Sequence, residues 1–291
     1  MRNKIAFIIN PISGTSNKKD LPTFINTLMD PVKWETPVIL YTERAGHGME
    51  LARQCAADGF DVVVACGGDG TVNEIATGLI GTQTALSIVP YGSGNGLARH
   101  WGYSMTPRKA VAQINAGTSH PMDYGVVNDR KFFCTCGTGF DAHITHMYAK
   151  KGTRGFLTYL KCIVPEYFKY KPYEYQLEVN GETISRNAFV VTFANASQYG
   201  NDGFIAPHAS TQDGLMDICF LDEFPMSSMP KLAWQLLHKT LDRSPYTTYF
   251  RSREAILRRS YEGEFHVDGE AILLGKEIHV EIISDQLKIW I

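Results

Sequence analysis

Five apolar residues, Val62-Val63-Val64-Ala65-Cys66, run without a break into Gly67-Gly68-Asp69-Gly70-Thr71. A strand that is apolar on both faces must be covered on both faces, as in a parallel sheet flanked by helices. Beyond the glycines the pattern is helical, since Val72, Ile75, Ala76 and Leu79 fall on one face. Thr71 and Glu74 have the spacing of a T-x-x-E capping box, which predicts a helix capped by Thr71. A strand, a glycine turn and a helix start suit an anion. Glycines let the backbone approach phosphate oxygens, and helix N–H groups favour negative charge. Asp69 makes sense there beside a divalent cation, or as the orienter of a cationic or hydroxyl partner. That combination suits phosphoryl transfer. Taken alone, the motif also reads as a tight turn with Asp69 as a solvated cap.

The arrangement recurs. Ile5–Ile9 leads into Asn10-Pro11-Ile12-Ser13-Gly14, and residues 86–89 lead into Pro90-Tyr91-Gly92-Ser93-Gly94-Asn95, with a helix from near Gly96 to Trp101. Val38–Tyr41 is a further strand, and a helix opens at Met49 and ends near Gly59. This alternation predicts an open, doubly wound α/β sheet whose ligand site lies at the carboxyl ends of the strands. All three loops would emerge at that edge. There is no GxxxxGK[ST] and no GxGxxG after a strand, which excludes a P-loop and a dinucleotide fingerprint.

After about Tyr124 the pattern becomes antiparallel β. Residues 175–179 alternate apolar and polar, Asn180-Gly181 reads as a hairpin turn, and residues 189–193, 216–220, 265–268 and 278–282 are further strands. A helix is expected over 229–241, with Met229, Leu232, Leu236 and Leu237 as core. Two domains follow, 1–124 and 125–291, with the C-terminal end as a candidate to rejoin the first. A net charge of −2 argues against a broad nucleic-acid surface. The six scattered cysteines lack CxxC, so reduced thiols and a cytoplasmic protein are expected, with Cys134 and Cys136 buried. No stretch approaches the ~18 apolar residues of a membrane span. Lys150, Lys151, Arg154, Lys161, Lys169 and Lys171 surround an aromatic stretch that either lies on an anionic membrane or packs on the second domain, the latter favoured. His143 and His146 read as surface or core histidines.

The three loops together resemble the diacylglycerol kinase catalytic-domain family, which includes bacterial lipid kinases, sphingosine kinases and ceramide kinases. The resembling residues are Asn10-Pro11-x-Ser13-Gly14, Gly67-Gly68-Asp69-Gly70-Thr71-x-Asn73-Glu74 and Pro90-x-Gly92-Ser93-x-Asn95. Gly137-x-Gly139-Phe140-Asp141, Tyr199-Gly200, Ala206-Pro207, Asp213-Gly214-Leu215 and Asp268-Gly269-Glu270 follow in the family's order, so the resemblance covers nearly the whole chain.

The resemblance implies an NAD kinase/diacylglycerol kinase-like two-domain fold, a doubly wound α/β nucleotide domain followed by a β-sandwich-like domain. It implies an ATP site lined by Asn10, Pro11, Ile12, Ser13, Gly14, Thr42, Gly67, Gly68, Asp69, Gly70, Thr71, Val72, Asn73 and Ser93. Glu270 would be the general base, with Asp69 beside the phosphates. Ser210, Asp213 and Leu215 would hold Mg²⁺, and a second Mg²⁺ would travel with ATP. Read without the resemblance, Asp268-Gly269-Glu270 is a hairpin turn with solvated carboxylates. The third loop carries Gly96 where bacterial diacylglycerol kinases tend to have an acidic residue, and its Ser-Gly-Asn form is similar to that of long-chain-base kinases. Asp141 reads either as a ligand for an amino headgroup or as a helix cap. The expected activity is phosphoryl transfer from ATP to a lipid hydroxyl, that of diacylglycerol or of a long-chain (sphingoid) base, at a transiently contacted membrane surface, with a homodimer compatible. The alternatives are a kinase of a soluble substrate such as NAD, or a non-catalytic nucleotide- or lipid-binding module.

Overall fold

A computed structural model describes residues 2–14, 17–151 and 163–291. The chain forms two compact units, Met1–Asp123 with Ser284–Ile291, and Tyr124–Ile283.

Unit 1 contains strands β1 (Ile5–Ile9), β2 (Val38–Tyr41), β3 (Val62–Gly67) and β4 (Ala85–Pro90), in the order β2-β1-β3-β4 and all parallel. Every residue of β1, β3 and β4 is buried, as their unbroken apolar runs require. β2 lies at the sheet edge and is half-exposed. Helices α1 (Leu21–Leu28), α2 (His47–Ala57), α3 (Asp69–Leu79), α4 (Gly96–His100) and α5 (Pro107–Ile114) complete the unit. Alternate strand residues Phe7, Val64 and Val89 join Leu21 and Ile25 of α1 and Val111 of α5 in one core. α2 packs on α3 and β1, and α3 on β3. The sheet is therefore doubly wound, as its sequence pattern predicts.

A long strand, β16 (Glu277–Trp290), finishes this unit. Ile289 pairs in parallel with Leu86. The hydroxyls of Tyr103 and Ser87 donate to the Trp290 carbonyl at 2.5 and 3.1 Å. The Trp290 indole meets Trp34 edge-on at 5.4 Å, donates to the Ile114 carbonyl at 2.9 Å and carries the Lys33 ammonium 4.9 Å above its ring.

Unit 2 is a β-sandwich. One sheet has the order β12-β11-β10-β7-β14-β15, formed by β7 (Thr135–Gly139), β10 (Val190–Ala194), β11 (Met216–Leu221), β12 (Thr247–Ser252), β14 (Gly263–Val267) and β15 (Glu270–Leu274). β5 (Ser119–Val127) pairs antiparallel with β6 (Arg130–Phe132), and the second layer comprises β8 (Tyr173–Val179), β9 (Glu182–Ala188), β13 (Glu254–Arg259) and the first part of β16, which pairs with β13. Phe193, Phe220 and Phe265 of the first sheet interlock with Tyr175, Leu177 and Leu257 of the second. The Asn180-Gly181 turn has positive φ at both residues (52° and 80°), the geometry of a tight I′ hairpin. A second cluster contains Phe140 and Ile144 of α6 (Phe140–Lys151), Leu232 of α7 (Met229–Leu237), and Phe189 and Phe224.

Several expectations change. The expected helix over 229–241 stops at Leu237, because Lys239 takes a left-handed conformation (φ 58°) that ends the spiral. Leu232 is core, but Leu237 is exposed. The strand expected over 265–268 ends at Val267, and Asp268 (φ 48°) begins a turn. Cys134 and Cys136 are buried free thiols, Cys134 standing just before β7. Of the basic, aromatic stretch, Arg154 and Lys161 lie outside the described residues. Ile163, Tyr167 and Tyr170 pack on the second cluster of unit 2, whereas Val164 and Phe168 of the same stretch are exposed.

Trp290→Ala removes the side chain that seals the end of unit 1. It is expected to lower unfolding free energy by roughly 2–3 kcal/mol in urea titrations, below the full-burial range because the indole is only half-buried.

Candidate active site

The carboxyl ends of the unit 1 strands are in register. Ile9 stands opposite Tyr41 and Cys66, Cys66 opposite Val89, and Gly67 opposite Pro90. The segments that leave them therefore start at one edge. Asn10 donates its amide to the Cys66 carbonyl at 3.1 Å, Thr42 to Ile9 at 2.9 Å, and Tyr91 to Gly67 at 2.8 Å.

Each pair of loops is tied by a specific contact. The Asn10 side chain donates to the buried Thr71 hydroxyl at 3.0 Å and accepts from the Ile12 amide at 3.2 Å. Gly14 has φ +71°, and a Cβ there would sit 1.8 Å from the Tyr91 carbonyl oxygen, so the first loop is seated directly on the third. A Cβ on Gly92 would lie 2.7 Å from the Gly68 Cα, so the second and third loops touch backbone to backbone. No side chain larger than hydrogen fits that approach without displacing a loop.

Asp69 locks the arrangement. Its Oδ2 accepts from the Asn95 amide and its Oδ1 from the Gly96 amide, both at 2.9 Å. In these contacts the Asp69 carboxylate binds the backbone of the third loop. It holds the start of α4. Asn95, at φ 53°, turns its own side chain back to the Gly92 amide and carbonyl, both at 2.8 Å.

The capping box does not form. α3 begins at Asp69 behind Gly68, and its N-cap makes no side-chain hydrogen bond. Gly68 is extended, so the helix starts two residues before Thr71, which is taken by Asn10. Glu74 instead accepts from the Gly46 and Gly48 amides at 2.9 and 3.1 Å, capping the N-terminus of α2. Gly70 and Ser93 are exposed on this edge, Ile12 is exposed beside them, and Val72 is buried behind.

Lys18 is a member that sequence reasoning misses. It is only 9% exposed, and its ammonium donates to the Ser13 carbonyl and hydroxyl and stands 4.9 Å over the Tyr91 ring. Burial pulls its pKa down, partly offset by Cys66. In the sequence Asn17-Lys18-Lys19-Asp20 reads as a solvated run, and only the packing of the third loop buries one of its lysines.

Unit 2 holds the remaining candidates. Asp268 and Gly269 form the turn between β14 and β15, and Glu270 is exposed at the start of β15. Asp268 is not solvated. Its carboxylate accepts from the amides of Phe133, Cys134 and Thr135 at 2.9, 2.8 and 3.1 Å, and its own amide donates to Thr135. The hairpin carrying Glu270 is therefore pinned to the chain entering β7. Ser210, Asp213 and Leu215 share one turn, in which Ser210 accepts from the Gln212 amide, and Asp213 accepts from the Leu215 amide and pairs with Arg251. Asp141 gives one oxygen to the Ala142 amide and the other to Tyr199 and His266, at 2.8 and 3.1 Å. Burial, then that carboxylate, pushes the Tyr199 phenol well above its usual pKa. His143 lies between Glu264 and Glu166, and His146 contacts the Ile272 carbonyl.

Chemically, unit 1 presents a glycine-lined, backbone-rich edge suited to phosphate oxygens, and unit 2 presents an exposed carboxylate on a fixed hairpin.

Comparison with known proteins bears on the family and the fold. The family described as diacylglycerol kinase catalytic domain matches residues 4–127, and the YegS C-terminal NAD kinase beta sandwich-like domain matches residues 134–289. A diacylglycerol kinase of Bacillus subtilis is 27% identical over 90% of this chain and 88% of its own. A Salmonella typhimurium protein named "Probable lipid kinase YegS" is 30% identical over 79% of this chain and 78% of its own. The crystal structure of a diacylglycerol kinase from Bacillus anthracis superposes with a TM-score of 0.76, covering 99% of this chain and 96% of that one at 18% identity, which speaks for the fold. The chain belongs to the diacylglycerol kinase family, whose members are phosphotransferases.

Asp69→Asn keeps the size of the clamp but turns an NH₂ group towards one of two amide donors. Unfolding free energy measured in urea titrations is expected to fall by roughly 1–3 kcal/mol, the cost of leaving such a donor unpaired.

Proposed function

We propose that this chain is an ATP- and Mg²⁺-dependent lipid kinase, which transfers the γ-phosphoryl group of ATP to a lipid hydroxyl. The observation that carries the reading is the Asp69 clamp, which ties the Gly67–Gly70 turn to the third loop through the Asn95 and Gly96 amides. It fixes a seat of backbone groups where phosphates would otherwise meet mobile loops, and positioning is most of what phosphoryl transfer needs.

The roles are those that the family resemblance implies. Asn10 to Gly14, Thr42, Gly67 to Asn73 and Ser93 hold the nucleotide, with the first turn of α3 facing its phosphates. Glu270 takes the proton of the lipid hydroxyl. That oxygen bonds to the γ-phosphorus, the bond to the β–γ bridging oxygen breaks, and ADP leaves. Asp268 keeps Glu270 on its hairpin. Among the described residues no group of three or more His, Cys, Asp or Glu could hold a metal ion. The Ser210, Asp213 and Leu215 turn fits Mg²⁺ in donor type, since it offers hydroxyl, carboxylate and carbonyl oxygens, with Arg251 as the competitor for Asp213. Bound there, Mg²⁺ would supply charge neutralisation.

The substrate class favours a protein that visits a membrane surface. Among the described residues no helix is long and apolar enough to cross a membrane. The described cysteines are buried free thiols, which suits a reducing, cytoplasmic setting.

The test is direct. Purified protein with labelled ATP and Mg²⁺ is offered diacylglycerol, a long-chain base, ceramide, undecaprenol and NAD in separate reactions. One lipid is expected to be labelled, and Glu270→Gln is expected to lower kcat by about 10²-fold or more, the usual scale for a lost general base. Labelling of NAD alone refutes the lipid reading. Undiminished labelling by both Glu270→Gln and Asp69→Asn refutes the site.

A further inference from the structure

Helix α7 of unit 2 has an inner face that is explained and an outer face that is not. Leu232 is buried in the second cluster of unit 2 and Leu236 packs against it. On the outer side Trp234 is 55% exposed and Leu237 50% exposed. Lys231, His238 and Lys239 flank them, all exposed.

We propose that the outer face of α7, made by Lys231, Trp234, Leu237, His238 and Lys239, docks this protein on an anionic lipid bilayer. The inference rests on the lipid-kinase reading for its purpose, and its evidence lies on this helix.

The charge is of one sign. Residues 224–241 contain no Asp or Glu, while Lys231, His238 and Lys239 fall within them. The acidic residues that bound the stretch are Glu223 and Asp242, and the Asp242 carboxylate faces His208 at 3.3 Å. Asp202, two residues from the contact of the Phe204 amide with the Leu236 carbonyl, is the exposed carboxylate on the adjoining loop. A face with lysines beside bare apolar side chains complements anionic headgroups over acyl chains.

The aromatic group is braced. The Trp234 and His238 rings stack with centroids 4.1 Å apart and 15° between planes, and His238 Nδ1 lies 2.8 Å from the Trp234 carbonyl oxygen. The Lys239 ammonium stands 4.5 Å from the centre of the Phe204 ring, at the C-terminal end of the helix where a cation is favoured. These side chains lose little rotamer freedom on docking. An indole has an apolar body and one N–H, which suits the headgroup level of a bilayer.

The test uses the full chain and vesicles that contain no kinase substrate. Wild-type protein should sediment with phosphatidylcholine vesicles containing phosphatidylglycerol, and far less with phosphatidylcholine alone. Trp234→Ser with Leu237→Ser should weaken that binding by about tenfold or more, since both apolar anchors are lost. Lys231→Glu with Lys239→Glu should weaken it as well. Thermal melting serves as the folding control, and both pairs should still melt in one cooperative transition, with only a small shift from the loss of the Trp234–His238 stack and the Lys239–Phe204 contact. Brominated acyl chains should quench the emission of wild type, whereas Trp234→Phe should still bind and lose the quenching. Binding unchanged in the Trp234/Leu237 pair, or quenching unchanged in Trp234→Phe, overturns the proposal. So does a Trp234-dependent dimer that ignores vesicles, which makes a second copy the occupant. Activity on a short-chain lipid in detergent separates the two readings. Vesicle binding without labelling of any lipid keeps the docking face and sinks the kinase, and labelling without vesicle binding does the reverse.

Discussion

The two hydrogen bonds from the Asn95 and Gly96 amides to Asp69 are the constraint on which the candidate nucleotide seat depends. Loops are normally the softest part of a fold, because their backbone groups trade easily between protein and water. Here the third loop has two amides committed to a carboxylate on the first turn of α3, and a glycine contact behind them. An acid is well chosen for this work, since an ionised carboxylate accepts two charge-assisted bonds at once. Its negative charge beside the proposed phosphate seat is then partly absorbed by the amides it holds.

The same device recurs. Asp268 gathers three consecutive amides at the entrance to β7, and Glu74 gathers two at the start of α2. In each case a carboxylate organises backbone distant in sequence. Acidic side chains that sequence logic assigns to solvent, to metal or, for Glu74, to its own helix start are here used as clamps on distant backbone. Within each unit this leaves the exposed groups, Gly70 and Ser93 in one and Glu270 in the other, standing on fixed supports.

What was readable in the sequence was what is local or periodic. The apolar run at 62–66 required a buried parallel strand, and Asn180-Gly181 required a tight turn. The resemblance in the loop motifs led to the family. What was not readable depends on partners far along the chain. Glu74 sits three residues after Thr71, as a capping box demands, yet α2 offers unpaired amides closer to its carboxylate. Lys18 resembles its solvated neighbour Lys19 until Tyr91 arrives over it. Asp268 looks like any hairpin aspartate, because the amides of residues 133–135 leave no trace near it. Lys239 ends α7 early by adopting a left-handed conformation that composition does not advertise. The exposed face of α7 was missed for a related reason, since Leu237 has the spacing of a core residue.

The final strand carries a kinetic consequence. Ile289 pairs with Leu86, and the Trp290 carbonyl collects the hydroxyls of Ser87 and Tyr103. The sheet of unit 1 is thus closed by a segment some two hundred residues downstream, with every strand of unit 2 lying between them in the chain. Pairings of such separation are slow to form, because the intervening loop entropy is lost before the contact is gained. During synthesis the edge of β4 waits uncovered while unit 2 is made, so the candidate nucleotide seat belongs to a sheet that can be finished only late. Maturation of unit 1 is therefore expected to be governed by the arrival of β16, and not by the early-made loops of its candidate site.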